Sequence, residues 1–413
     1  MKKVRDGYKI TELGEIPSDW NIMKLSEVAE IVMGQSPDSS SYNDTEDGVA
    51  FFQGKTEFGR INPVVKKWCN NPTKISKPLD ILISVRAPVG DVNINNIEAC
   101  IGRGLGAIRA TSSSNYKYLY YAIQKYNNQL KKASQGSTFE AINSNDLKGL
   151  KLPIPHIDEQ EKIALILSTV DEQIDNVDAL IEKNKELKKG LMQTLFTKGI
   201  GHTKFKNTEI GEIPEEWDVK KIGDICEVKG GKRLPKGYQL EDEDNAFPYI
   251  RVADMYMGGI RQDDIKYVPK DIVDKIKNYK ISKDDLFISV AGTLGIVGQV
   301  PYELDGANLT ENADKLCNIQ INKLYLMKVL QSNIVQSIIE AEQTKSAQPK
   351  LALTRIKEFL IPVPSDIEQV KIASILMEVD EKIGQYKNKK QKLEELKKGL
   401  MQQLLTGMIR VTV

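Results

Sequence analysis

Apolar residues along the chain change their period, and the change divides each half of the protein into a globular and a helical part. From about residue 8 to 155 they form short runs rich in Val, Ile, Phe and Tyr, such as VAEIVMG, VAFFQG, DILISV and GAIRA, which glycines and prolines separate. Runs of this kind indicate strands. One helix is predicted near 115–133, so this part is expected to be a mixed α/β domain.

A long helix is predicted from about 158 to 198, where there is no proline and no glycine before Gly190. Its apolar residues are spaced alternately by three and four positions, which is the heptad pattern of a coiled-coil seam. A second segment near the end of the printed sequence has the same pattern. The predicted seam residues are Ile163, Leu167, Val170, Ile174, Val177, Ile181, Ile372, Leu376, Val379 and Ile383.

The two predicted helices can bury their seams against each other. Each segment of about forty residues would form a rod of about 60 Å at 1.5 Å per residue. We expect an antiparallel coiled coil, because that arrangement makes a duplicated chain pseudo-twofold symmetric. Asn184 on the seam either fixes the register, as a buried asparagine does in zippers, or lies where the seam frays.

The chain is an internal duplication. Residues 8–34 return at 205–231, and both copies contain the motif E-[LI]-G-E-I-P-x-x-W. LPIPHIDEQEKIALILSTVDEQI, from Leu152, returns from Ile361 as IPVPSDIEQVKIASILMEVDEKI, and LKKGLMQ occurs unchanged at 187–193 and 396–402. Between these ends the copies diverge, although DILISV at 80–85 still matches DLFISV at 285–290. The two copies therefore share a framework, and the rest of their sequences differ.

Composition and charge exclude several classes of protein. The 413 residues include 58 Lys+Arg and 57 Asp+Glu, so any binding to nucleic acid must use local patches. The four cysteines are scattered singly, which argues against a metal or dithiol site and predicts buried free thiols. No apolar run is long enough to span a bilayer and the first twenty residues do not read as a signal peptide, so a cytoplasmic protein is expected.

Two motifs that suggest catalysis lack the required context. GRGLG at 102–106 is similar to a glycine loop for a nucleotide or S-adenosylmethionine, but a strand is predicted to follow where a helix is needed. Asp80 and Glu98 could form a metal-nuclease pair, yet no Glu-x-Lys follows, so both are expected to be surface or turn carboxylates. We therefore predict no catalytic residue, no cofactor and no metal.

Basic and amide side chains on glycine-backed loops are the candidate DNA-reading groups. Arginine, lysine, glutamine and asparagine are the side chains that bind guanine and adenine edges in the major groove. A solvated loop charge is the alternative for each of them. The candidates are Gln53, Lys55, Arg60, Arg86, Lys229, Lys232, Arg233, Arg251, Arg261, Gln348 and Lys350.

In these features the chain resembles the specificity subunit of Type I restriction-modification systems. The resemblance is carried by the two ELGEIPxxW-type openings, the two D-x-x-x-S-V cores, GRGLGAIR and the two [LI]-P-[IV]-P entries into helices that contain LKKGLMQ. It implies a noncatalytic subunit in which each half holds a target recognition domain and a conserved helix. Each recognition domain would read one half of a bipartite, asymmetric DNA site.

From the resemblance we expect an α+β fold with two mixed α/β target recognition domains and two long antiparallel helices. The expected boundaries are 1–155 and 201–364 for the recognition domains, and 156–200 and 365–413 for the helical spacers. The implied partners are double-stranded DNA, two methyltransferase subunits and, in the full complex, restriction subunits. The isolated chain is also expected to be able to form a homodimer through its pseudo-twofold surface.

Two other classes of function compete with this prediction. A self-contained DNA methyltransferase or nuclease would use GRGLG or Asp80, and it would show activity as a purified chain with S-adenosylmethionine or a divalent metal. A noncatalytic spacer would bind proteins only, and would lack sequence-specific DNA binding even when its methyltransferase is present.

Overall fold

The computed structural model describes residues 4–134, 140–343 and 350–412. The chain divides into two compact units, Met1–Ala179 with Lys387–Val413 and Leu180–Tyr386. We call them the first unit and the second unit. Each unit therefore combines the globular part of one repeat with residues from both long helices. Within the described residues, no helix has the length and apolar character needed to cross a lipid bilayer.

The first unit contains thirteen strands among its described residues. They are β1 (Tyr8–Thr11), β2 (Gly14–Pro17), β3 (Asn21–Lys24), β4 (Ala29–Met33), β5 (Tyr42–Asn43), β6 (Val49–Phe52), β7 (Trp68–Cys69), β8 (Ile75–Ser76), β9 (Ile81–Ser84), β10 (Val92–Ile94), β11 (Ala99–Ile101), β12 (Leu105–Ala110) and β13 (Lys151–Ile154). Its helices are α1 (Leu25–Val28), α2 (Tyr116–Tyr126), α3 (Asn128–Ser134), α4 (Ser144–Lys148) and the beginning of α5 (Ile157–Thr197).

The second unit repeats this series. Its strands are β14 (Phe205–Thr208), β15 (Gly211–Pro214), β16 (Asp218–Lys221), β17 (Glu227–Gly230), β18 (Pro248–Ile250), β19 (Met255–Tyr256), β20 (Gly259–Ile260), β21 (Lys266–Tyr267), β22 (Lys280–Ile281), β23 (Leu286–Ser289), β24 (Val297–Gln299), β25 (Ala307–Leu309), β26 (Ala313–Cys317) and β27 (Leu360–Val363). Its helices are α6 (Ile222–Ile225), α7 (Val273–Ile276), α8 (Lys323–Leu330), α9 (Asn333–Gln343), α10 (Leu353–Lys357) and the beginning of α11 (Asp366–Leu404).

Both units are built on a corresponding pair of larger sheets, the second of which has five strands in the first unit and four in the second unit. In the first unit the sheets have the orders β10-β9-β12-β4 and β5-β7-β6-β11-β8. In the second unit the orders are β17-β26-β23-β24 and β21-β18-β25-β22. Each second sheet contains one parallel pair, β6 with β11 or β18 with β25, among antiparallel neighbours. The mixed α/β fold predicted for both repeats is therefore confirmed.

The helix near 115–133 was predicted as one segment but is two, α2 and α3, with Asn127 between them. The side-chain oxygen of Asn115 accepts from the backbone amides of Lys117 and Tyr118, which caps α2. Asn322 caps α8 in the second unit through Tyr325. Since an N-cap asparagine satisfies amides that the helix leaves free, both starting points are fixed locally.

The apolar faces of the long helices form part of the cores. Ile163 and Leu167 pack in the core of the first unit together with Leu404. Ile372 and Leu376 pack in the core of the second unit together with Phe196. Nine of the ten predicted seam residues are buried, and Val379 is half-buried. The amide of buried Asn184 donates to the carbonyl of Leu180 in its own helix, at 2.7 Å.

A buried tryptophan and a glutamate fix the start of each long helix. Trp20 Nε1 donates to Glu159 at 3.0 Å, and Trp217 Nε1 donates to Glu368 at 3.0 Å. Arg410 provides the counter-charge for Glu159, whereas the ring of His202 contacts Glu368. Because a buried carboxylate needs donors, these contacts stabilise the repeated E-I-P-x-x-W segment against its helix.

In each unit an aspartate of a long helix forms ion pairs with the globular part and with the other helix. Asp171 is 1% exposed and accepts from Tyr121 at 2.6 Å, Arg60 at 2.8 Å and Lys397 of α11 at 2.9 Å. Burial opposes its charge, but the hydrogen bonds from Lys397 and Tyr121 hold the pKa of Asp171 below its usual value.

The second unit has the equivalent contact at Asp380. This carboxylate accepts from Lys188 of α5 at 2.6 Å and from Lys328 of α8 at 2.5 Å. Lys390 pairs with Asp178 in the first unit at 2.7 Å. In the first unit the partner residue numbers fall from Lys397 to Lys390 on α11 as they rise from Asp171 to Asp178 on α5, so its two helical segments run antiparallel.

We predict that Asp171→Ala lowers the free energy of unfolding of the first unit by about 3–5 kcal/mol, because it leaves Arg60 and Lys397 without their buried partner. Asp178→Ala removes a more exposed pair and is the control, with a loss below about 1 kcal/mol. The pKa of Asp171 is depressed, so its contribution is present above pH 4 and is lost as the pH falls further. Thermal unfolding at pH 7 measures both variants, and equal losses would contradict the prediction.

Candidate nucleic-acid interface

Three of the predicted DNA-reading residues of the first repeat meet in one open pocket. Gln53 follows β6, Lys55 begins a short 3-10 turn and Arg86 follows β9. Arg103, in the turn between β11 and β12, joins them. This first pocket has a volume of about 520 Å³ and is lined by Gln53, Gly54, Lys55, Thr56, Arg86, Ala87, Pro88, Arg103 and Gly104.

Glycines allow the backbone segments of the first pocket to approach each other. A Cβ atom on Gly104 would lie 2.6 Å from the carbonyl oxygen of Gln53, so no larger residue fits without movement of the backbone. On the other side, Glu57 accepts from the backbone amides of Gln53 and Gly54. GRGLG therefore serves close packing, and the strand predicted after it is confirmed as β12.

The charges of the first pocket are only partly neutralised. Lys55 forms an ion pair with Asp91. Arg86 and Arg103 are exposed, and neither guanidinium has a hydrogen bond or ion pair within the described ranges. Two unpaired guanidinium groups beside an exposed glutamine amide can bind phosphate oxygens or the acceptor edges of bases.

Arg60 lies apart from the first pocket. Its guanidinium contacts Asp171 and Asp175 of α5 and donates to the backbone carbonyl of Asp171 at 2.7 Å. These bonds occupy the groups through which Arg60 would read a base. Its position therefore favours an anchoring role between the globular part and the helix.

Three predicted residues of the second repeat meet in a second pocket. This second pocket has a volume of about 410 Å³ and lies between β17, β26 and the segment before α10. It is lined by Gly230, Gly231, Lys232, Arg233, Val290, Glu311, Asp314, Lys350, Leu351, Ala352 and Leu353.

The cations of the second pocket have different partners. Lys232 lies 5.5 Å from the ring centre of Tyr279, and Arg233 pairs with Glu311 at 2.7 Å. Burial opposes the charge of Glu311, yet the hydrogen bond from Arg233 keeps its pKa below the usual value. Lys350 is exposed at the rim. This surface offers both donors and acceptors to a bound molecule.

Asp314 is the unusual group of the second pocket. It is 5% exposed, and its Oδ2 atom has no hydrogen-bond partner in the part of the chain that the structure describes. Burial raises the pKa of Asp314 to about 6, and the positive charge of Lys350 only partly offsets this. The carboxylate is therefore mainly ionised at neutral pH although its environment disfavours the charge.

The remaining predicted residues lie outside the two pockets. Arg251 donates to Asp254 at 2.6 Å and 3.0 Å and also contacts Asp264. These contacts stabilise the turn that begins at Arg251. Lys229 pairs with Glu227, and Arg261 is exposed. Gln348 lies outside the described residues, as do the polar segments 135–139 and 344–349.

Sequence reasoning missed two residues of these pockets, and it did not show that Asp80, outside them, is buried. Arg103 lies within GRGLG and was not among the candidates. Its position between two glycines on a turn could have identified it. Asp314 lies in ENADKLCNIQ, where nothing in the sequence marks it. Asp80 is in a turn as expected, but it is buried rather than on the surface, because Arg109 neutralises it through two hydrogen bonds.

An exposed face recurs on the two long helices. Leu187 and Leu396 are the first residues of the identical LKKGLMQ segments, and each is about half exposed. The lysine and glycine that follow at 189–190 and 398–399 are also exposed. The same exposed leucine, lysine and glycine therefore occur at equivalent positions of the two units.

Comparison with known families gives a match over most of the chain. The model of the Type I restriction modification DNA specificity domain matches residues 17–188 and again residues 214–395. Both matches include a globular part and most of the long helix that follows it.

Individual relatives agree with the family match. The Type I restriction enzyme MjaVIII specificity subunit of Methanocaldococcus jannaschii is 24% identical over 406 residues, covering 96% of this chain and 94% of the relative. The EcoBI specificity subunit of Escherichia coli is 23% identical over 88% of this chain and 80% of its own length. MjaX, also from M. jannaschii, is 41% identical over 194 residues, and this match spans less than half of either chain.

Solved structures share the fold. A crystal structure of the S subunit of a Type I restriction-modification system from M. genitalium has a TM-score of 0.62 at 21% identity, with 97% of both chains covered. A chain from a study of complex assembly in the type I R-M system has a TM-score of 0.54 at 17% identity, covering 95% of this chain and 99% of that one.

We predict that Asp314→Asn stabilises the second unit by about 1–3 kcal/mol at pH 7.5. The pKa of Asp314 is about 6 in the folded protein and 3.8 in its usual environment, so the folded state loses stability as the pH rises between these values. Thermal unfolding from pH 4.5 to 7.5 should show a gain for the variant that shrinks toward low pH. The exposed Asp274→Asn is the control, and a gain independent of pH would contradict the prediction.

Proposed function

The chain belongs to the family of DNA specificity subunits of type I restriction-modification systems, and from this premise we propose how its two units divide the recognition of one DNA site. A specificity subunit is noncatalytic and works with DNA, methyltransferase subunits and restriction subunits. The first unit reads one half-site through the first pocket, and the second unit reads the other through the second pocket. The recognition domains are residues 1–155 and 201–364.

The observation that carries this proposal is that the two units share their sheets and buried contacts but differ in the residues of their pockets. Both units have corresponding sheets, the same buried Trp–Glu contact and an aspartate at the equivalent position of a long helix. The pockets differ in charge: the first is lined by two arginines that have no ion pair among the described residues, whereas the second includes two carboxylates. A duplicated protein that reads the same sequence twice would have no need for this difference.

We propose that the helical residues 156–200 and 365–413 form the spacer between the half-sites and bind two methyltransferase subunits. The identical LKKGLMQ segments support equivalent binding sites, because a repeated partner requires a repeated surface. Leu187 and Leu396 would provide the apolar contact, with Lys189 and Lys398 beside them. Without that partner the same surface can support a homodimer. Since DNA and its modifying enzymes are the partners, the proposed location is the cytoplasm.

The proposal is tested by co-expression with the cognate methyltransferase, followed by sequencing of modified bases in the host genome. We expect a split, asymmetric methylated motif that is lost when this chain is deleted. Methylation that does not depend on the chain would contradict the proposal. It would favour the alternative of a protein-binding spacer, whereas methylation by the purified chain alone would favour a self-contained methyltransferase.

We predict that Arg103→Ala and Arg86→Ala each weaken binding of the complete methyltransferase complex by about 1–3 kcal/mol, since each removes a guanidinium from the first pocket. The base preferences of the second half-site should not change. Arg5→Ala, which removes an arginine of the same unit outside the first pocket, is the control. Titration of labelled duplex at fixed salt measures all three, and equal affinities would remove these residues from the interface.

We predict that insertion of one heptad into both long helices, about 10.5 Å of helix, lengthens the preferred spacer between the half-sites. The half-sites themselves should stay as they are, because the recognition domains are unchanged. Selection from duplexes with spacers of varied length measures this. A variant that retains the original spacer would show that the helices do not set the distance.

A further inference from the structure

Asp314 occupies a position that the fold does not require to be acidic. It pairs with Gly230 of β17 and with Ile288 of β23. At the equivalent place in the first unit, Gly106 of β12 pairs with Met33 and Ile83. Since the same sheet forms there with a glycine, the carboxylate does not serve to build the sheet.

The Asp314 carboxylate is also unfavourable for the folded chain alone. A buried ionised carboxylate is normally stabilised by several donors, because water no longer solvates it. Among the described residues, none donates to Oδ2 of Asp314. An acceptor that is buried at the wall of an open pocket and lacks a donor indicates that a bound molecule provides one.

Two glycines lie beside the Asp314 carboxylate at the floor of the second pocket. A Cβ atom on Gly230 would lie 3.4 Å from Oδ1 of Asp314, so a side chain there would cover the carboxylate. A Cβ atom on Gly231 would lie 2.0 Å from the carbonyl oxygen of Thr310, so the neighbouring loop must pack closely against the end of the sheet. Both glycines thereby form the floor of the second pocket.

The charges around Asp314 restrict what can bind. Lys232, Arg233 and Lys350 line the same pocket, so a metal cation would meet positive charge. A ligand that donates a hydrogen bond to the carboxylate and offers acceptors to these cations fits better. The major-groove edge of adenine has this combination, with the N6 amino donor beside the N7 acceptor, and a cytosine offers its N4 amino group beside the acceptors of its guanine.

We propose that Asp314 is a specificity-determining residue of the second half-site, where its carboxylate accepts a hydrogen bond from the exocyclic amino group of an adenine or a cytosine. This rests on the proposed function, because it assumes that the second unit reads DNA. It assigns to one residue a preference for amino-bearing bases. Gly106 gives the first unit no such acceptor, so the two half-sites differ at the corresponding position.

The ionisation of Asp314 gives the contact a pH dependence. Its pKa of about 6 makes the carboxylate ionised above that pH and protonated below it. The titratable and charged groups that line the pocket with it are Lys232, Arg233, Glu311 and Lys350, and the Arg233 contact keeps the pKa of Glu311 low. Binding at the second half-site therefore strengthens as the pH rises from 5.5 to 7.5.

The first test selects duplexes from a random library with the complete methyltransferase complex, carrying either wild-type chain, Asp314→Ala or exposed Asp274→Asn. In the Asp314→Ala complex one position of the second half-site should lose its preference for an amino-bearing base by about 5- to 150-fold. The first half-site should be retained. Unchanged preferences at every position would overturn the inference.

The second test removes the amino group from the DNA. At the position so identified, adenine is replaced by purine, or cytosine by 2-pyrimidinone. The wild-type complex should lose affinity by the same factor, and the Asp314→Ala complex should be indifferent. Equal losses in both complexes would show that Asp314 does not contact that amino group. The replacement that lowers the affinity of the wild-type complex identifies the contacted base as adenine or cytosine.

A third measurement covers the case in which Asp314→Ala does not fold. Asp314→Asn has nearly the same shape and no charge, and its affinity should not change between pH 5.5 and 7.5. A pH dependence equal to that of the wild type would overturn the inference. If the wild-type complex selected no two-part site at all, the proposed function would fail as well, so the two failures are distinguishable.

Discussion

A hydrogen-bonded aspartate on each long helix, buried at Asp171 and half-buried at Asp380, is the contact on which the arrangement of a unit depends. Asp171 receives hydrogen bonds from Tyr121 and Arg60 of the globular part and from Lys397 of the opposite helix. Movement of any one of these segments would leave a charge buried without its partner, at a cost of several kcal/mol. The globular part and both helical segments of a unit are therefore held in one geometry, and the loops that follow β6 and β9 are held with them.

The two units share the contacts that fix the helices against the globular part, and they differ in the residues that line their pockets. Gln160 accepts from the amide of Asn115 and donates to the carbonyl of Pro155, and Gln369 makes the equivalent bonds with Asn322 and Pro364. Such satisfied buried amides specify how the strand, the capped helix and the long helix meet. Since they lie away from the pockets, the residues that line the pockets can differ without loss of the fold. This separation explains why the ends of the repeats match while their middles diverge.

Much of this fold could be predicted from residue patterns, but the site could not. The heptad spacing and the absence of proline predicted both ends of α5 to within one residue. The apolar runs bounded by glycines predicted β6, β9 and β12. The pockets depend on side-chain partners that a sequence does not show. Arg60 and Arg86 look alike as arginines near glycines, yet one is bound by Asp171 and the other is exposed. Asp314 stands out only because it is buried and, in the part of the chain that the structure describes, its Oδ2 atom has no donor. Its burial depends on the neighbouring strands β17 and β23 as much as on its own strand.

The central claim is that two different units read two separated parts of one DNA site. It is tested most directly by measuring the affinity of the complete complex for a series of duplexes in which each base pair of the target is changed in turn. The account predicts two groups of sensitive positions separated by positions where any base pair is tolerated, with a different base preference in each group. A single continuous group of sensitive positions, or equal affinity for every duplex, would contradict it.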